Sequence, residues 1–236
     1  LFAGVAGEYL TARATVVAIR GGTIHDMKGG APYAGTLVID GATIAAVGPN
    51  VAIPTGATVV DATGLDIYPG LIDAQSTLGL TEIGAVRATV DTREIGDINP
   101  NVRTEVAFNP DSELLPVARV NGITSAIVAP QGGLIAGTSA LMHLDGWTWE
   151  DMTVRAPLAL YVNWPGKPGF SPWGGGRPPG IDADKATKER AERAQKIKDA
   201  FADARAYLKA REAAGRPGVP RLDFEPKWEA MIPALK

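Results

Sequence analysis

Few residues of this sequence could carry out chemistry by themselves. His25 and His143 are the only histidines, and cysteine is absent. Disulfides and cysteine-ligated metals are therefore excluded, and a catalytic Ser-His-Asp or Cys-His system has no support. His143 stands between apolar residues in "ALMHLDG", which favours a structural role over a ligand role. His25 follows a predicted strand, and we expect it at the surface.

The most informative polar group is Gln75-Ser76-Thr77, which directly follows the apolar run "GLIDA". In a strand, residues two apart point to the same side, so Gln75 and Thr77 would act together and Asp73 would share their side. Gln75 offers an amide and Thr77 a hydroxyl. Glu82, Asp91, Arg93 and Glu94 follow in the next loop, where carboxylates could bind a metal or act as a base. Solvated loop charges are the commoner interpretation.

A second candidate is the glycine-rich stretch "GGLIAGTS", residues 132–139. It lacks the lysine of a phosphate-binding loop, so a nucleotide role is not favoured. We predict a substrate-facing loop in which Gly132, Gly133 and Thr138 contact the ligand. The alternative is a turn that needs glycine for positive φ.

Residues 15–68 predict the elements of a small β unit. Short runs rich in Val, Ile and Thr are separated by glycine turns, and "VIDGATIAAVG" is a strong hairpin signal with Asp40-Gly41 as its turn. The pattern predicts an antiparallel unit of the sandwich type.

From Pro69 onward the pattern changes to alternating strands and helices. "GLIDAQ" and "ITSAIVAP" read as buried strands, and "SELLPVARVNG" reads as a helix between them, with Ser112 as N-cap and Gly122 past its end. This is a βαβ unit, and with "VRAPLALYVNW" it suggests about three parallel strands. We further predict a loop or lid in "PGKPGFSPWGGGRPPG", a long helix over 182–214 with one apolar stripe, and a last helix in "EPKWEAMIPALK".

Composition excludes some partners. The net charge is −3, which gives no support for a nucleic-acid partner. No apolar run approaches the ~20 residues of a membrane span. The first residues, "LFAGVAG", favour a frayed or helical terminus, with the remnant of an export signal as the alternative. Trp147, Trp149, Trp164 and Trp173 stand close together in the sequence and could line a pocket, an interface or a core.

Together, "VIDGATIAAVG", "VVDATG" and "YPGLIDA" in this order resemble the amidohydrolase superfamily, and specifically its imidazolonepropionase-like members. The resemblance continues more loosely through residues 109–152. It implies an α/β fold: a small β-sandwich, residues 1–68, beside the first part of a metal-dependent-hydrolase (β/α)8 barrel, residues 69–236. Chemistry in such barrels lies at the carboxyl ends of the strands.

In this family "PGLIDA" is followed directly by His-x-His, whose two imidazoles bind a zinc ion. Here Gln75-Ser76-Thr77 replaces that motif, and both side chains are poor zinc ligands. A divalent metal, zinc, is therefore expected only if its ligands come from the missing C-terminal part of the barrel. The barrel typically takes ~250 residues, so we expect further sequence or another chain to complete it, as part of an oligomer or complex.

Two functions fit these observations. One is a hydrolase of non-peptide carbon–nitrogen bonds with an altered metal site, acting on a small molecule. The other is a non-catalytic scaffold or complex subunit that keeps the fold. The subfamily suggests a periplasmic or otherwise exported protein, with a cytoplasmic one as the alternative.

Overall fold

A computed structural model describes residues 16–166 and 183–236. The predictions for "LFAGVAG", for nearly all of "PGKPGFSPWGGGRPPG" and for Trp173 lie outside these residues. The chain divides into two compact units, Leu1–Pro69 and Gly70–Lys236. In the described residues, no helix has both the length and the apolar character that crossing a membrane requires.

The first unit is built on one five-stranded sheet. Its central strand β1 pairs with β2 in antiparallel fashion, and β2 pairs with β3 in the same way. The predicted hairpin is confirmed: Asp40 faces Thr43 across the turn, and Gly41 has φ 59°. The strands are β1 (Val17–Ile24), β2 (Tyr33–Asp40), β3 (Thr43–Gly48), β4 (Thr58–Asp61) and β5 (Asp66–Ile67).

The prediction of a wholly antiparallel unit is wrong, because β1 also runs parallel to β4 and β5. An irregularity between Arg20 and Gly22, with Gly21 at φ 78°, divides β1 into two parts. The first part pairs with β4 and the second with β5. Residues 49–57 carry the chain back to the start of β1, and this long connection leaves no local pattern that fixes strand direction.

The second unit contains a four-stranded sheet in the order β6-β7-β8-β9. β6 and β7 are parallel, and helix α1 lies between them in the chain, which confirms the predicted βαβ unit. The elements are β6 (Leu71–Ser76), α1 (Leu114–Val120), β7 (Ile123–Val128), β8 (Ile135–His143), the one-turn helix α2 (Trp149–Met152) and β9 (Thr153–Val162).

The expectation of about three parallel strands is wrong, because β8 is antiparallel to β7 and β9 is antiparallel to β8. Only six residues, 129–134, connect β7 to β8. A parallel neighbour needs a crossover of a dozen residues or more, so this short connection forces the chain to reverse.

The ends of α1 agree closely with the sequence. Gly122, at φ 84°, follows the helix and donates its N–H to the carbonyl of Arg119 at 2.8 Å. Ser112 does not occupy the N-cap itself, which is Glu113. Its hydroxyl accepts from the N–H of Leu114 at 3.3 Å, so it supports the first turn from one position earlier.

Two hydrophobic clusters stabilise the second unit. One lies between the sheet, α1 and α2, and includes Phe108, Leu115, Val128 and Met142. The other joins Ile135 of β8 to the helices α3 (Ala183–Ala213) and α4 (Pro226–Met231). Both helices were predicted. The predicted stripe of α3 faces inward, with Ile197 and Ala204 buried and Ala194, Phe201 and Leu208 half-buried.

An ion pair ties α3 to the loop after β6. The Lys196 ammonium lies 2.9 Å from Asp97 and holds the pKa of that carboxyl below its ordinary value of 3.8. A lowered folded-state pKa stabilises the fold above the unfolded value, and this contribution disappears as pH falls through the lowered value.

We expect Asp97→Asn to lower the free energy of unfolding at pH 7 by about 0.2–1 kcal/mol, the range of exposed pairs. As the pH falls through the lowered pKa of Asp97, the difference between variant and wild type should vanish. Urea denaturation at pH 7 and at a pH below that lowered pKa measures it. The control is Asp203→Asn, which removes an exposed carboxylate on α3, the helix of Lys196. It should leave the free energy of unfolding unchanged at both pH values. An equal loss at both pH values would show that the charge of Asp97 is not what matters.

Candidate functional site

An open cleft of about 270 Å³ lies at the carboxyl ends of the two parallel strands. The N–H of Ala129 donates to the carbonyl of Ser76 at 3.0 Å, so the two strand ends form one continuous wall. The lining residues come from both: Gln75, Ser76, Thr77, Ala129, Pro130 and Gln131. This is the edge at which α/β barrels place their chemistry.

Gln75 and Thr77, the candidate site residues of the sequence analysis, both line this cleft. Gln75 is exposed and Thr77 is half-buried. Neither side chain has a hydrogen-bond partner within residues 16–166 and 183–236, whereas the Ser76 hydroxyl accepts from the N–H of Leu78 at 3.2 Å. Ser76 therefore shapes the turn, whereas the side chains of Gln75 and Thr77 make no hydrogen bond within these residues.

The strand bends just before these residues. Asp73 pairs with Ala126 and Ser76 pairs with Val128. β6 therefore advances three residues between these two pairs, whereas β7 advances two. This is a bulge, which commonly redirects side chains beside functional sites. The bulge interrupts the strand alternation from which we predicted that Asp73 and Gln75 share a side. Asp73 instead accepts the backbone N–H of Gln75 at 3.2 Å.

The glycine-rich loop is shorter than predicted, because β8 already begins at Ile135. Gly132 and Gly133 form its turn, with φ of 85° and 57°. Thr138 lies in the strand and is 6% exposed. Its hydroxyl donates to the carbonyl of Val102 at 3.1 Å, so the side chain is used within the protein. Sequence periodicity did not reveal this because "IAGTSALM" carries no charged residue to mark where loop gives way to strand.

Asn163 holds the turn through two side-chain hydrogen bonds. Its side-chain N–H groups donate to the carbonyls of Gly132 and Gly133 at 2.9 and 3.3 Å. We expect Asn163→Ala to destabilise the protein by about 1 kcal/mol and to speed hydrogen exchange in residues 131–134. Gln195→Ala, which removes an exposed side-chain contact on α3, is the control and should leave exchange in the loop unchanged. Unchanged exchange in Asn163→Ala would show that the turn holds without this residue.

The charged residues of the first loop are dispersed. Glu82 accepts from the side chain of Asn109 at 3.2 Å, and Asp91, Arg93 and Glu94 are exposed. Among the described residues, no group of three His, Asp or Glu side chains could hold a metal ion. The amide of Gln75 and the hydroxyl of Thr77 do not supply the ligands that zinc prefers. This part of the chain therefore does not fit zinc by itself.

The remaining candidates lie away from the cleft. His143 is exposed, and its Nδ1 lies 3.2 Å from the Ser125 hydroxyl, three residues before the end of β7. In the first unit, the Nε2 of His25 lies 2.8 Å from Asp66, and its ring stacks on Tyr68 at 4.1 Å. Its side chain is 21% exposed, less than a surface position implies.

The tryptophans do not form one cluster in the described residues. Trp147 is 90% exposed and Trp164 is 55% exposed. Trp149 instead packs against the first hydrophobic cluster.

One buried charge was missed by the sequence analysis. Glu105 is 1% exposed, and its Oε1 lies 2.7 Å from the Nε of Arg103. Its position in "NVRTEVAF" gave no signal, because the surrounding loop is polar and a glutamate there is normally solvated.

The fold is that of the amidohydrolases. A crystal structure of an amidohydrolase from Thermotoga maritima MSB8 superposes with a TM-score of 0.75 at 23% identity, over 92% of this chain and 55% of that one. The predicted resemblance and the incomplete α/β barrel are therefore confirmed at the level of the fold. The chain spans about half the length of that protein.

Two further solved structures share shorter stretches. Phenylurea hydrolase B matches at TM-score 0.35 and 27% identity, over 48% of this chain and 24% of its own. D-hydantoinase matches at TM-score 0.32 and 26% identity, over 48% and 20%. These partial overlaps carry no weight for the site. No protein-family model and no curated protein sequence matches this chain.

Proposed function

We propose that this chain is part of a hydrolase that acts on carbon–nitrogen bonds other than peptide bonds. The observation that carries the proposal is the polar cleft at the carboxyl ends of β6 and β7, in a chain with the amidohydrolase fold. Enzymes built on such barrels place their chemistry at this edge.

The cleft works by hydrogen bonding. The Gln75 amide carries both donors and an acceptor, and the Thr77 hydroxyl can act as either. These groups can hold the carbonyl oxygen and the N–H of a small substrate in one orientation. Gly132 and Gly133 contribute backbone N–H groups from the adjoining turn, since Asn163 already occupies their carbonyls. Any divalent metal in the reaction would be held by residues outside the described part of the chain.

The outer edge of β6 supports completion of the barrel by further sequence or another chain. In the described residues β6 pairs only with β7. Leu71 and Ile72 are 58% and 59% exposed on this strand. An uncovered apolar edge strand invites pairing. The complete protein is accordingly proposed to be larger, or assembled from more than one chain. Export is a separate proposal, which comes only from the resemblance to the imidazolonepropionase-like family.

A non-catalytic scaffold is the second candidate. It is favoured by one observation: the described residues contain no metal-binding group, although the first strand of the barrel is intact in position. In this case the cleft would persist as a remnant, and the fold would serve assembly.

Metal analysis of the complete protein, together with hydrolysis assays on amides, ureides and carbamates, separates the two candidates. Turnover of a substrate that falls about 5- to 30-fold in Gln75→Ala supports the hydrolase, since a lost hydrogen bond costs about 1 to 2 kcal/mol. Gln195→Ala, far along α3, is the matched control. Less than about a tenth of an equivalent of metal would exclude a zinc mechanism, and no turnover at all would favour the scaffold.

A further inference from the structure

The ion pair of Arg103 and Glu105 is unequally exposed. Glu105 is 1% exposed, whereas the Arg103 side chain is 61% exposed. One carboxylate oxygen of Glu105 accepts from the Arg103 Nε, and the other, Oε2, is buried without a partner in the described residues. The two terminal nitrogens of Arg103 likewise have no partner within residues 16–166 and 183–236.

Stability does not account for this arrangement. Burying a carboxylate is unfavourable unless its attractions and hydrogen bonds replace the lost water, and here one oxygen lacks any. A half-satisfied buried group calls for another explanation. What the arrangement does achieve is to fix a guanidinium. The buried carboxylate holds the Arg103 Nε, and the Arg103 side chain as a whole is 61% exposed.

Arg103 stands at the edge of the sheet that carries the cleft. Its residue bridges in parallel to Thr138 of β8. Ala140 of β8 pairs with Val128 at the end of β7. Because β8 runs antiparallel to β7, Thr138, two residues earlier in β8, lies past that end. At the rise of a strand, Arg103 thus lies about 7 Å past the carboxyl end of β7. The bridge lies on the β7-facing edge of β8, past the residue at which β7 ends. Across the sheet, Arg103 is therefore one strand away from β6, beside the cleft.

We propose that Arg103, positioned by the buried Glu105, binds a carboxylate group of the ligand that enters the cleft. A guanidinium with two free terminal nitrogens presents a planar fork that matches a carboxylate. Glu105 already balances the charge of Arg103, so a singly charged carboxylate suits the site better than a doubly charged phosphate. The inference rests on the proposed function in that it names the substrate class: small amides or ureides that carry a carboxylate.

Two matched probes test the proposal on the complete protein. N-carbamoylglycine and N-carbamoylglycinamide differ only in carboxylate against carboxamide. By titration calorimetry, wild type should bind the carboxylate probe at least about tenfold more tightly, as expected for a charge-assisted hydrogen bond. Arg103→Ala should abolish this preference. Arg103→Lys should keep part of it. Arg87→Ala, an exposed arginine earlier in the same loop, should leave it unchanged.

Glu105 is tested as a positioning residue by Glu105→Gln. We expect the preference to fall about threefold to tenfold and the Arg103 Nε–H resonance to move upfield, a change that a purely structural role would not produce. Should this variant fail to fold, Arg103→Lys decides, because it keeps a cation beside the buried Glu105 carboxylate while removing the planar guanidinium. Equal affinity for both probes, no binding of the carboxylate probe, stronger binding of inorganic phosphate, or an unchanged preference in Arg103→Ala would overturn the proposal.

Hydrolysis of the same probes is scored separately. A carboxylate preference without turnover contradicts the hydrolase and leaves the role of Arg103 standing. Turnover of both probes without a carboxylate preference supports the hydrolase and contradicts the role of Arg103.

Discussion

The double variant Gln75→His/Thr77→His should bind Zn²⁺ at least about 100-fold more tightly than the wild-type protein. Both positions line one cleft at the end of β6, and they stand where the family resemblance implies a His-x-His motif. Neutral imidazole is a strong zinc ligand, whereas an amide or hydroxyl oxygen is a poor one. Changes in residues that merely orient ligands alter metal affinity 10–100-fold, so two direct ligands should exceed the upper part of that range.

The measurement is a competition titration of the complete protein against a coloured zinc chelator. The matched control is the single variant Gln75→His, which adds one imidazole to the same cleft. It should bind Zn²⁺ at least about tenfold less tightly than the double variant. If the Gln75/Thr77 double variant gains no more than this control, the other ligands are absent, and the scaffold interpretation prevails.

Sequence reasoning succeeded where a local rule determines the structure. The Asp40-Gly41 turn set the register of β2 and β3, and the helix between "GLIDAQ" and "ITSAIVAP" made those strands parallel. It failed where direction depends on a longer path. Strands β4, β5 and β8 have ordinary strand composition, and only the geometry of their connections decides whether they run parallel or antiparallel.

The same division holds at the candidate site. Gln75 and Thr77 were predicted from their place after "GLIDA", and both lie in the cleft. Thr138 was misplaced because a glycine-rich apolar stretch can be loop or buried strand. Gly137, at φ 137°, lets the carbonyl of Val102 approach to 2.7 Å from where a Cβ would stand. Glu105 could not be predicted, because its burial depends on packing between residues distant in sequence.

Gly79→Ala should destabilise the protein by about 2 to 5 kcal/mol, through backbone strain at positive φ and overpacking of the core. Gly79 has φ 74°, and a Cβ there would lie 2.5 Å from two ring atoms of Phe108. Phe108 is 3% exposed within the first hydrophobic cluster, so its ring has little room to move. Urea denaturation gives the change in the free energy of unfolding.

Gly84→Ala is the matched control, since a Cβ at Gly84 meets nothing within 4 Å and the residue lies in the same loop. It should change stability by less than about 0.5 kcal/mol. The effect of Gly79→Ala should also reach the cleft, because Gly79 follows Thr77 by two residues and its carbonyl accepts the N–H of Asn109 at 2.8 Å. Stability close to wild type in Gly79→Ala would mean that Phe108 can shift. The turn after Thr77 would then be adaptable, and Gln75 and Thr77 would not be held in the fixed geometry that ligand binding at this cleft requires.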